Sequence, residues 1–440
     1  MSRLKYDVIV VGAGPAGLMA AIAAKEMGAR VALIEKGNKP GRKLGISGGG
    51  RCNVTNAKPL PELMENIPGN ARFLHSALTR FSNQDIMIFF EGLGIRLKEE
   101  DRGRVFPVSD KAATVVKAIV DAVYTSGVDV MLDTPVARLL ARDGQITGVR
   151  LTRGQTVEAQ AIVIATGGCS VPKTGSTGDA YPWVQAFGHT IVAPYPTEVP
   201  LTSDEPFIVE RKLQGLSLRG IDATVWDDTR KKRLTTEHGD MLFTHLGLSG
   251  PAALRCSHYI STARRKNLQV SLSVTLDLAP TCARPALEQT LAAGRKHHPR
   301  RSITTHLAEM FPERLVDFIL HKANVPASTQ LANLSKVHLD AITASIKACP
   351  IHITGTLPLE QATVTGGGVS VKEIDPKTMQ SKLVRGLYFA GEVMDVHAHT
   401  GGYNITVAFS TGHLAGQSAA EQVLSATTTP APRNHVPPSR

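Results

Sequence analysis

The stretch up to residue 190 alternates short apolar runs with helical stripes. Tyr6 to Val11 is a continuous apolar run interrupted only by Asp7, and it predicts a buried strand. A helix is expected over Leu18 to Met27 and a second strand over Arg30 to Ile34. Phe73, Leu74, Leu78 and Phe81, then Ile86, Phe89, Phe90 and Leu93, mark a helical region from Arg72 to Leu93, and another helix runs from Asp110 to Ser126. Val128 to Leu132 reads as a strand. Val136 to Leu140 and Ile146 to Leu151 read as a hairpin about Asp143-Gly144, and Val157 to Ala165 as a buried strand ending in Thr166-Gly167-Gly168. This order is that of an α/β, doubly wound sheet carrying a three-stranded β-meander crossover.

From residue 192 the texture changes to Pro, Thr and alternating short strands, among them Leu216 to Thr224, the basic turn Asp227 to Arg233, and Val270 to Leu276. A helical piece follows between Arg284 and Lys347, punctuated by Pro299, Pro312 and Pro326. Sheet-type sequence returns at Ile351 to Thr356. Gly386 to Gly391 reads as a last buried strand entering a glycine turn, and Ile405 to Gln417 as a final helix. From Ser425 the chain carries Thr and Pro without apolar period, which predicts a disordered tail.

Composition narrows the class. With 440 residues, 42% hydrophobic and 20% charged, the chain has the size of a two- or three-domain globular enzyme. The net charge of +11 favours an anionic partner. Much of it falls between Arg255 and Arg301, where Arg264, Arg265, Lys266, Arg295, Lys296, Arg300 and Arg301 form either a solvated face or a surface for RNA or another polyanion. The five cysteines are scattered without a C-x-x-C pair, which argues against a disulfide framework, a redox dithiol and a zinc knuckle. No segment offers the roughly 20 apolar residues of a membrane span, so a cytoplasmic protein without membrane contact is expected.

The candidate chemistry begins where the first strand ends. Gly12, Gly14 and Gly17 are spaced G-x-G-x-x-G about Pro15 and Ala16, between a strand and a helix, and Glu35 with Lys36 closes the next strand. In such a dinucleotide cradle Gly12 turns the chain, Gly14 lets the backbone approach a pyrophosphate, and Gly17 lets the helix pack on the sheet, while Glu35 is placed to hold a ribose. Arg3 and Lys5 before an apolar run also suit a secretory signal, a reading that the glycines and Asp7 oppose.

Three further elements point to a flavin. The run Gly41 to Asn56 is dense in glycine and carries Arg42, Lys43, Ser47, Gly48, Arg51 and Cys52, suited to approaching and neutralising a diphosphate. Thr166-Gly167 ends a sheet strand. Gly391-Glu392, followed by Gly401-Gly402-Tyr403-Asn404-Ile405, offers a carboxylate for ribityl hydroxyls and helix-start amides for the pyrimidine edge of a flavin. His397 and His399 form a His-x-His pair with no third metal ligand, so no metal is expected and a proton donor is the better reading. Cys52, beside Arg51, is a second candidate donor if exposed and tuned, or else a structural thiol.

Together with Thr365-Gly366-Gly367-Gly368-Val369 and Gly391-Glu392-Val393-Met394-Asp395, these motifs resemble the YhiN/BaiN-like flavoproteins, also described as aminoacetone oxidase-like. The resemblance spans nearly the whole chain. It implies a two-part Rossmann-like, glutathione-reductase-like FAD-binding domain with an inserted β-barrel-like domain carrying a helical subdomain. The parts expected are 1–191 and 356–424 for the FAD domain, 192–280 with 338–355 for the insertion, 281–337 for the helical subdomain and 425–440 for the tail. It puts non-covalent FAD on Gly14, Ala16, Glu35, Arg42, Lys43, Ser47, the backbone of Val136, Thr166, Gly391, Glu392, Asn404 and Ile405. With no second G-x-G-x-x-G, electrons would come from NADH or NADPH bound transiently, or from the substrate. The implied activity is reduction of an activated C=C bond, with uridine of large-subunit ribosomal RNA favoured. The alternatives are a small-amine oxidase releasing hydrogen peroxide, a BaiN-like reductase of small molecules, and a flavin-bearing RNA-binding protein without turnover. A monomer or weak homodimer is expected.

Overall fold

A computed structural model of the chain describes residues 4–428. It divides into two compact units, Met1–Tyr195 with Val364–Arg440, and Pro196–Thr363.

The first unit is built on a seven-stranded sheet. Its centre is Leu4–Val11, paired in parallel with Val31–Ile34 on one side and Thr156–Ile164 on the other, in the register Val8 to Val31 and Val8 to Ala161. Val8, Ile9 and Val10 are fully buried, which is why the run is apolar rather than alternating: both faces of the sheet are covered. Asp129–Met131 pairs with Val31–Ile34, and the meander strands Val136–Arg142 and Gln145–Leu151 continue the sheet beyond Thr156–Ile164. That strand is shared along its length. Residues 156–158 pair antiparallel with the meander, while Ile162 to Ile164 pair in parallel with Leu387–Phe389. The last strand among the described residues thus enters the sheet with Thr156–Ile164 between it and the first.

The helices Pro15–Glu26 and Tyr403–Thr428 cross at contact distance. A Cβ on Gly412 would stand 2.3 Å from the Ala16 carbonyl oxygen, and one on Gly416 would stand 2.2 Å from that of Ala20. Glycine on one helix and alanine on the other therefore set the spacing.

The sequence-predicted helix over 72–93 is in fact three pieces, Ala71–Leu74, His75–Arg80 and Asn83–Gly92. Ser82 breaks it by forming a capping box with Asp85. The final helix extends beyond Gln417 to Thr428, so residues 425–428 of the expected tail are helical instead, and residues 429–440, where that expectation otherwise falls, lie outside the described residues. A small sheet of Thr55–Asn56, Arg104–Pro107 and Leu97–Glu100 has no counterpart in the sequence reading.

In the second unit seven strands follow the order Cys349–Ile353, Leu272–Asp277, Ser217–Asp227, Lys232–Phe243, Gly247–Ser249, Leu201–Thr202, Gly355–Thr356. The two edge strands are separated by Thr354 alone, so the sheet curls round until its edges meet, which is a barrel-like closure. Helices Arg284–His297, Glu313–Lys322 and Lys336–Lys347 share one apolar cluster with these strands through Leu287, Leu291, Ile319 and Ile346. Among the described residues no helix is long and apolar enough to cross a membrane.

The close helix crossing carries a test. Gly416→Val is expected to cost about 3 kcal/mol, because the added branches meet backbone rather than a movable side chain. Urea denaturation should show the lowered midpoint, while Glu421→Gln, an exposed change on the same helix, should leave the midpoint near wild type.

Candidate cofactor site

Five separated segments meet where the parallel strands end. Gly12, at φ +102°, turns the chain off its strand, and a Cβ there would lie 2.6 Å from the Ala165 carbonyl oxygen. A Cβ on Gly17 would lie 1.8 Å from the Gly12 carbonyl oxygen, so the turn and the helix after it are locked together by two residues without side chains. Around the Cβ position of Gly14, by contrast, there is open space. The helix that follows has Pro15 at its start and no side-chain cap, which leaves its first amides facing that space.

Glu35 stands beside this cradle with its carboxylate fixed. Ala13 N donates to Oε2 and Gly37 N to Oε1, both at 2.8 Å. The segment leading to Val136 runs alongside, with Thr134 N donating to the Glu35 carbonyl at 3.0 Å and Asp133 N to that of Gly37 at 3.1 Å.

The cations differ in what they have left to give. Lys36 is paired with Asp179. Arg51 is bound to Glu100 and Asp110 and stacks 4.1 Å from the Phe106 ring, so its charge is already answered by two carboxylates. Lys43 reaches Glu392 at 2.7 Å and Ser170 at 2.8 Å. Arg42 has only Asn38 Oδ1, at 2.6 Å. Of the four, Arg42 is the one with no carboxylate partner among the described residues.

Glu392 is the hub of a polar cluster drawn from positions 43, 170, 365 and 392. Its Oε1 accepts from Thr365 N at 2.7 Å and Ser170 Oγ at 3.1 Å, and Thr365 Oγ1 in turn accepts from the amides of Cys169 and Ser170. Burial pushes the Glu392 carboxyl up, but the Lys43 ammonium and these hydrogen bonds outweigh it and hold the group below its usual range. Ser170 and Thr365 were not singled out from the sequence. The signal available was the T-G-G-G-V run, where a Cβ on Gly168 would sit 2.4 Å from Thr365 Oγ1.

The run Gly41 to Asn56 divides into two tasks. Its first part is the short helix Arg42–Ile46 and a glycine turn, with Ser47 Oγ donating to the Leu44 carbonyl at 2.7 Å. A Cβ on Gly48 would crowd the Asn53 amide at 2.8 Å. Its second part grips the start of the C-terminal helix: Asn56 Nδ2 donates to the Gly401 carbonyl at 2.9 Å, and the Thr55 and Thr406 hydroxyls meet at 2.7 Å. Gly402, at φ +97°, passes so close that a Cβ would stand 2.4 Å from the Thr55 carbonyl oxygen. The first rung of that helix runs from Thr406 N to the Gly402 carbonyl, so the amides of Asn404 and Ile405 precede it.

Cys52 departs from the expectation of an exposed, tuned thiol. It is fully buried, and burial pushes it up to about 11, against the opposing pull of a hydrogen bond with Ser47. His397 and His399 are buried on the loop before the helix. The His397 ring meets Tyr195 edge-on at 5.8 Å, and the Asn404 side chain fixes the loop by accepting from Ala398 N at 2.8 Å and donating to the Ala398 carbonyl at 2.7 Å. Among the described residues no group of three or more His, Cys, Asp or Glu is placed to hold a metal ion.

Two buried oxygens are left without hydrogen-bond partners around this space: Thr166 Oγ1 at the strand end and Asn53 Oδ1, on a residue only 6% exposed. Asn53 lies in the glycine-dense run Gly41 to Asn56, whose pattern alone assigns it no role. Leaving a buried polar atom unpaired costs about 1–3 kcal/mol, so such atoms mark where a polar ligand belongs. Together with bare backbone at Gly14, the uncapped start of helix Pro15–Glu26, the amides of Asn404 and Ile405 ahead of the first rung of the C-terminal helix, and the fixed Glu35 carboxylate, they suit a dinucleotide carrying a diphosphate, a ribose and a polar ring edge. The residues present therefore fit FAD.

The Lys43–Glu392 pair has a pH signature. Its contribution to stability is present above the ordinary glutamate value of 4.5 and is lost as pH falls through the lower folded value. Lys43→Met is expected to destabilise the protein by about 2 kcal/mol at neutral pH, discounted for a carboxylate side chain that is 19% exposed, and to flatten that acid-side loss in denaturation curves taken across pH.

Comparison with known proteins gives the family of the chain. The HI0933-like protein Rossmann domain model matches residues 6–418. The chain is 34% identical over 420 residues to the ribosomal RNA dihydrouridine synthase of Escherichia coli K12, covering 94% of this chain and 98% of that protein. It is 28% identical to the 3-dehydro-bile acid delta(4,6)-reductase of Clostridium scindens, again over 94% of this chain and 98% of that one. In fold it resembles the 3-ketosteroid delta1-dehydrogenase of Sterolibacterium denitrificans, with a TM-score of 0.50, 13% identity, and coverage of 95% of this chain and 100% of the other. The chain therefore belongs to the HI0933-like family, the YhiN/BaiN-like FAD-dependent oxidoreductases anticipated from its motifs.

Proposed function

We propose that this protein reduces the C5=C6 bond of uridine in large-subunit ribosomal RNA, using FAD and a transiently bound NADH or NADPH. The observation that carries the reading is the 34% identity to a ribosomal RNA dihydrouridine synthase along 94% of this chain and 98% of the other. The lower identity to a bile acid reductase, 28%, makes reduction of a small molecule the second reading.

FAD, when bound, supplies the hydride for such a reduction. The chain's own residues supply the rest. Gly12, Gly14, Pro15, Ala16 and Gly17 present backbone and helix-start amides to the diphosphate, with Arg42 as the uncommitted cation, and Glu35 with the neighbouring Val136 strand receives the adenosine end. Thr166, Gly167, Gly391 and Glu392 line the ribityl side, and Lys43 keeps Glu392 an acceptor by holding it ionised. Asn53 Oδ1 would hold the flavin pyrimidine edge as an acceptor and the amides of Asn404 and Ile405 as donors, a pairing that suits an edge of alternating polarity. The positive helix end at that edge favours the reduced, anionic cofactor. Protonation of the second carbon falls to His397 or His399, whose loop Asn404 holds in place, and the buried Cys52 thiol is left with a packing role.

Asn53→Ala is expected to weaken FAD binding about tenfold, the loss of one hydrogen bond in a buried site. Flavin fluorescence titration of the apoprotein reads this directly. For the activity itself, position-resolved dihydrouridine mapping of ribosomal RNA from cells lacking the protein should show loss at a large-subunit site, restored by wild type and by Cys52→Ala. Unchanged ribosomal dihydrouridine would overturn the reading and turn attention to amine oxidation, read by oxygen consumption.

A further inference from the structure

In the second unit, two basic runs separated in sequence come together. The strands Ser217–Asp227 and Lys232–Phe243 are joined by a turn that carries Thr229, Arg230 and Lys231, all exposed. Helix Pro251–Lys266 ends in Arg264, Arg265 and Lys266. The turn is tied down just beyond that helix: Asp228 N donates to the Ser271 carbonyl at 3.0 Å and Ser271 N to Thr229 Oγ1 at 3.2 Å. Between turn and helix lies a pocket of about 230 Å³ lined by Arg230, Lys232, His258, Tyr259, Thr262 and Lys266, with Asp227 as its one acidic residue.

The electrostatics of this pocket are one-sided. Asp227 has a side chain only 8% exposed, accepts from Arg230 N at 3.1 Å, and stands 3.9 Å from the Arg230 guanidinium, a distant pair for a side chain 73% exposed. Asp228, the other acid of the turn, has its carboxylate taken by Ser273 at 2.7 Å and Ser271 at 3.4 Å. Lys232 and Lys266 have no hydrogen-bond or ion-pair partner among the described residues. Basic residues in a last helical turn have an ordinary use in complementing the helix dipole, and that accounts for Lys266 alone. It does not account for the second run, delivered by a hairpin to the same pocket. Three exposed cations against the one mostly buried Asp227 carboxylate give the cavity a net positive field that attracts an anion. The buried Thr262 hydroxyl, which also has no partner, adds a polar group at the same place.

We propose that this pocket docks the phosphate backbone of a single-stranded RNA segment, with Tyr259 and His258 offering aromatic surface to an adjacent base. The cations alone would suit any polyanion. The two rings on the lining, set 4.9 Å apart and edge-on to each other, favour a nucleotide over an acidic protein. The proposal rests on the RNA reading of the function and refines it. It puts the RNA contact on the hairpin turn and the end of helix Pro251–Lys266. Of the other basic residues expected to serve, Arg301 is engaged with Glu309 at 2.6 Å, and Arg295 and Lys296 belong to the last turn of Arg284–His297, outside the pocket lining.

The test uses the full-length holoprotein and fluorescein-labelled oligouridylate as probe, with affinities measured over a range of salt. The double variant Lys232→Ala, Lys266→Ala is expected to bind about tenfold more weakly at low salt, and its log–log salt slope should be shallower by about 1.4, the loss of two phosphate contacts. Arg295→Ala with Lys296→Ala removes the same charge elsewhere and should leave both quantities near wild type. Tyr259→Ala should weaken oligouridylate but not inorganic polyphosphate, and bound-flavin absorbance should be the same in every variant. Equal RNA affinity in wild type and the pocket variant would overturn the proposal. So would polyglutamate competing as well as oligouridylate, which would make the pocket a site for an acidic protein. Failure of the functional reading is separate: dihydrouridine unchanged in cells lacking the protein, with RNA binding still sensitive to Lys232 and Lys266, would leave the docking site standing without that substrate.

Discussion

The approach of helix Tyr403–Thr428 to helix Pro15–Glu26 is the constraint on which the first unit depends. Gly412 and Gly416 let the C-terminal helix lie against the carbonyl oxygens of Ala16 and Ala20, so the two ends of the chain share a backbone-to-backbone contact with no side chains between. Everything at the candidate site hangs from that crossing. It sets the first turn of the N-terminal helix beside Gly391, where a Cβ would lie 2.9 Å from that of Ala16. It also brings Leu387–Phe389 into the sheet next to the strand that adjoins the cradle. A dinucleotide site assembled from residues 12 to 56 and 391 to 405 is possible because the chain's ends are docked before any ligand is considered.

Electrostatics then decide what the site offers. The cradle is rich in cations by sequence, yet Lys36, Lys43 and Arg51 are each answered by carboxylates of the protein. Their work is internal, since Lys43 keeps a carboxylate ionised at the sheet edge and Arg51 ties the glycine loop to the small sheet. On the proposed reading, a diphosphate would be met instead by the uncapped amides of helix Pro15–Glu26 and by Arg42. This arrangement gives directional hydrogen bonding, and a bare excess of charge would not.

The strands and helices of the first unit were legible in the sequence because both kinds of signal were strong: continuous apolar runs where a parallel sheet is covered on both faces, and small-residue helices beside glycine turns. The break at Ser82 was present in the sequence as a capping box, S-N-Q-D, but the apolar stripes on either side masked it. The sheet of Thr55–Asn56, Leu97–Glu100 and Arg104–Pro107 was not legible, since its strands are short, Leu97–Glu100 is mostly charged, and Thr55–Asn56 pairs far along the chain with Arg104 and Val105. At the site, the glycines and Glu35 were readable from spacing. For Cys52 the sequence left an exposed donor and a structural thiol both open, since a thiol among glycines and beside an arginine suits either; folding turns it inward and Arg51 outward to Glu100 and Asp110, which favours the structural reading. Asn53, Ser170 and Thr365 have roles that depend on partners over a hundred residues away or on the lack of any partner, and spacing carries neither.

In the proposed reaction, electrons on the flavin of this protein pass to uridine in ribosomal RNA. The most direct measurement is anaerobic: reduce the bound flavin, mix the holoprotein with ribosomal RNA from cells lacking the protein, and follow flavin absorbance while assaying the RNA for dihydrouridine. The account expects reoxidation of the flavin together with dihydrouridine formation at one large-subunit position, and neither with ribosomal RNA already modified by wild-type cells. Flavin that stays reduced with unmodified RNA and reoxidises only when oxygen is admitted would contradict it.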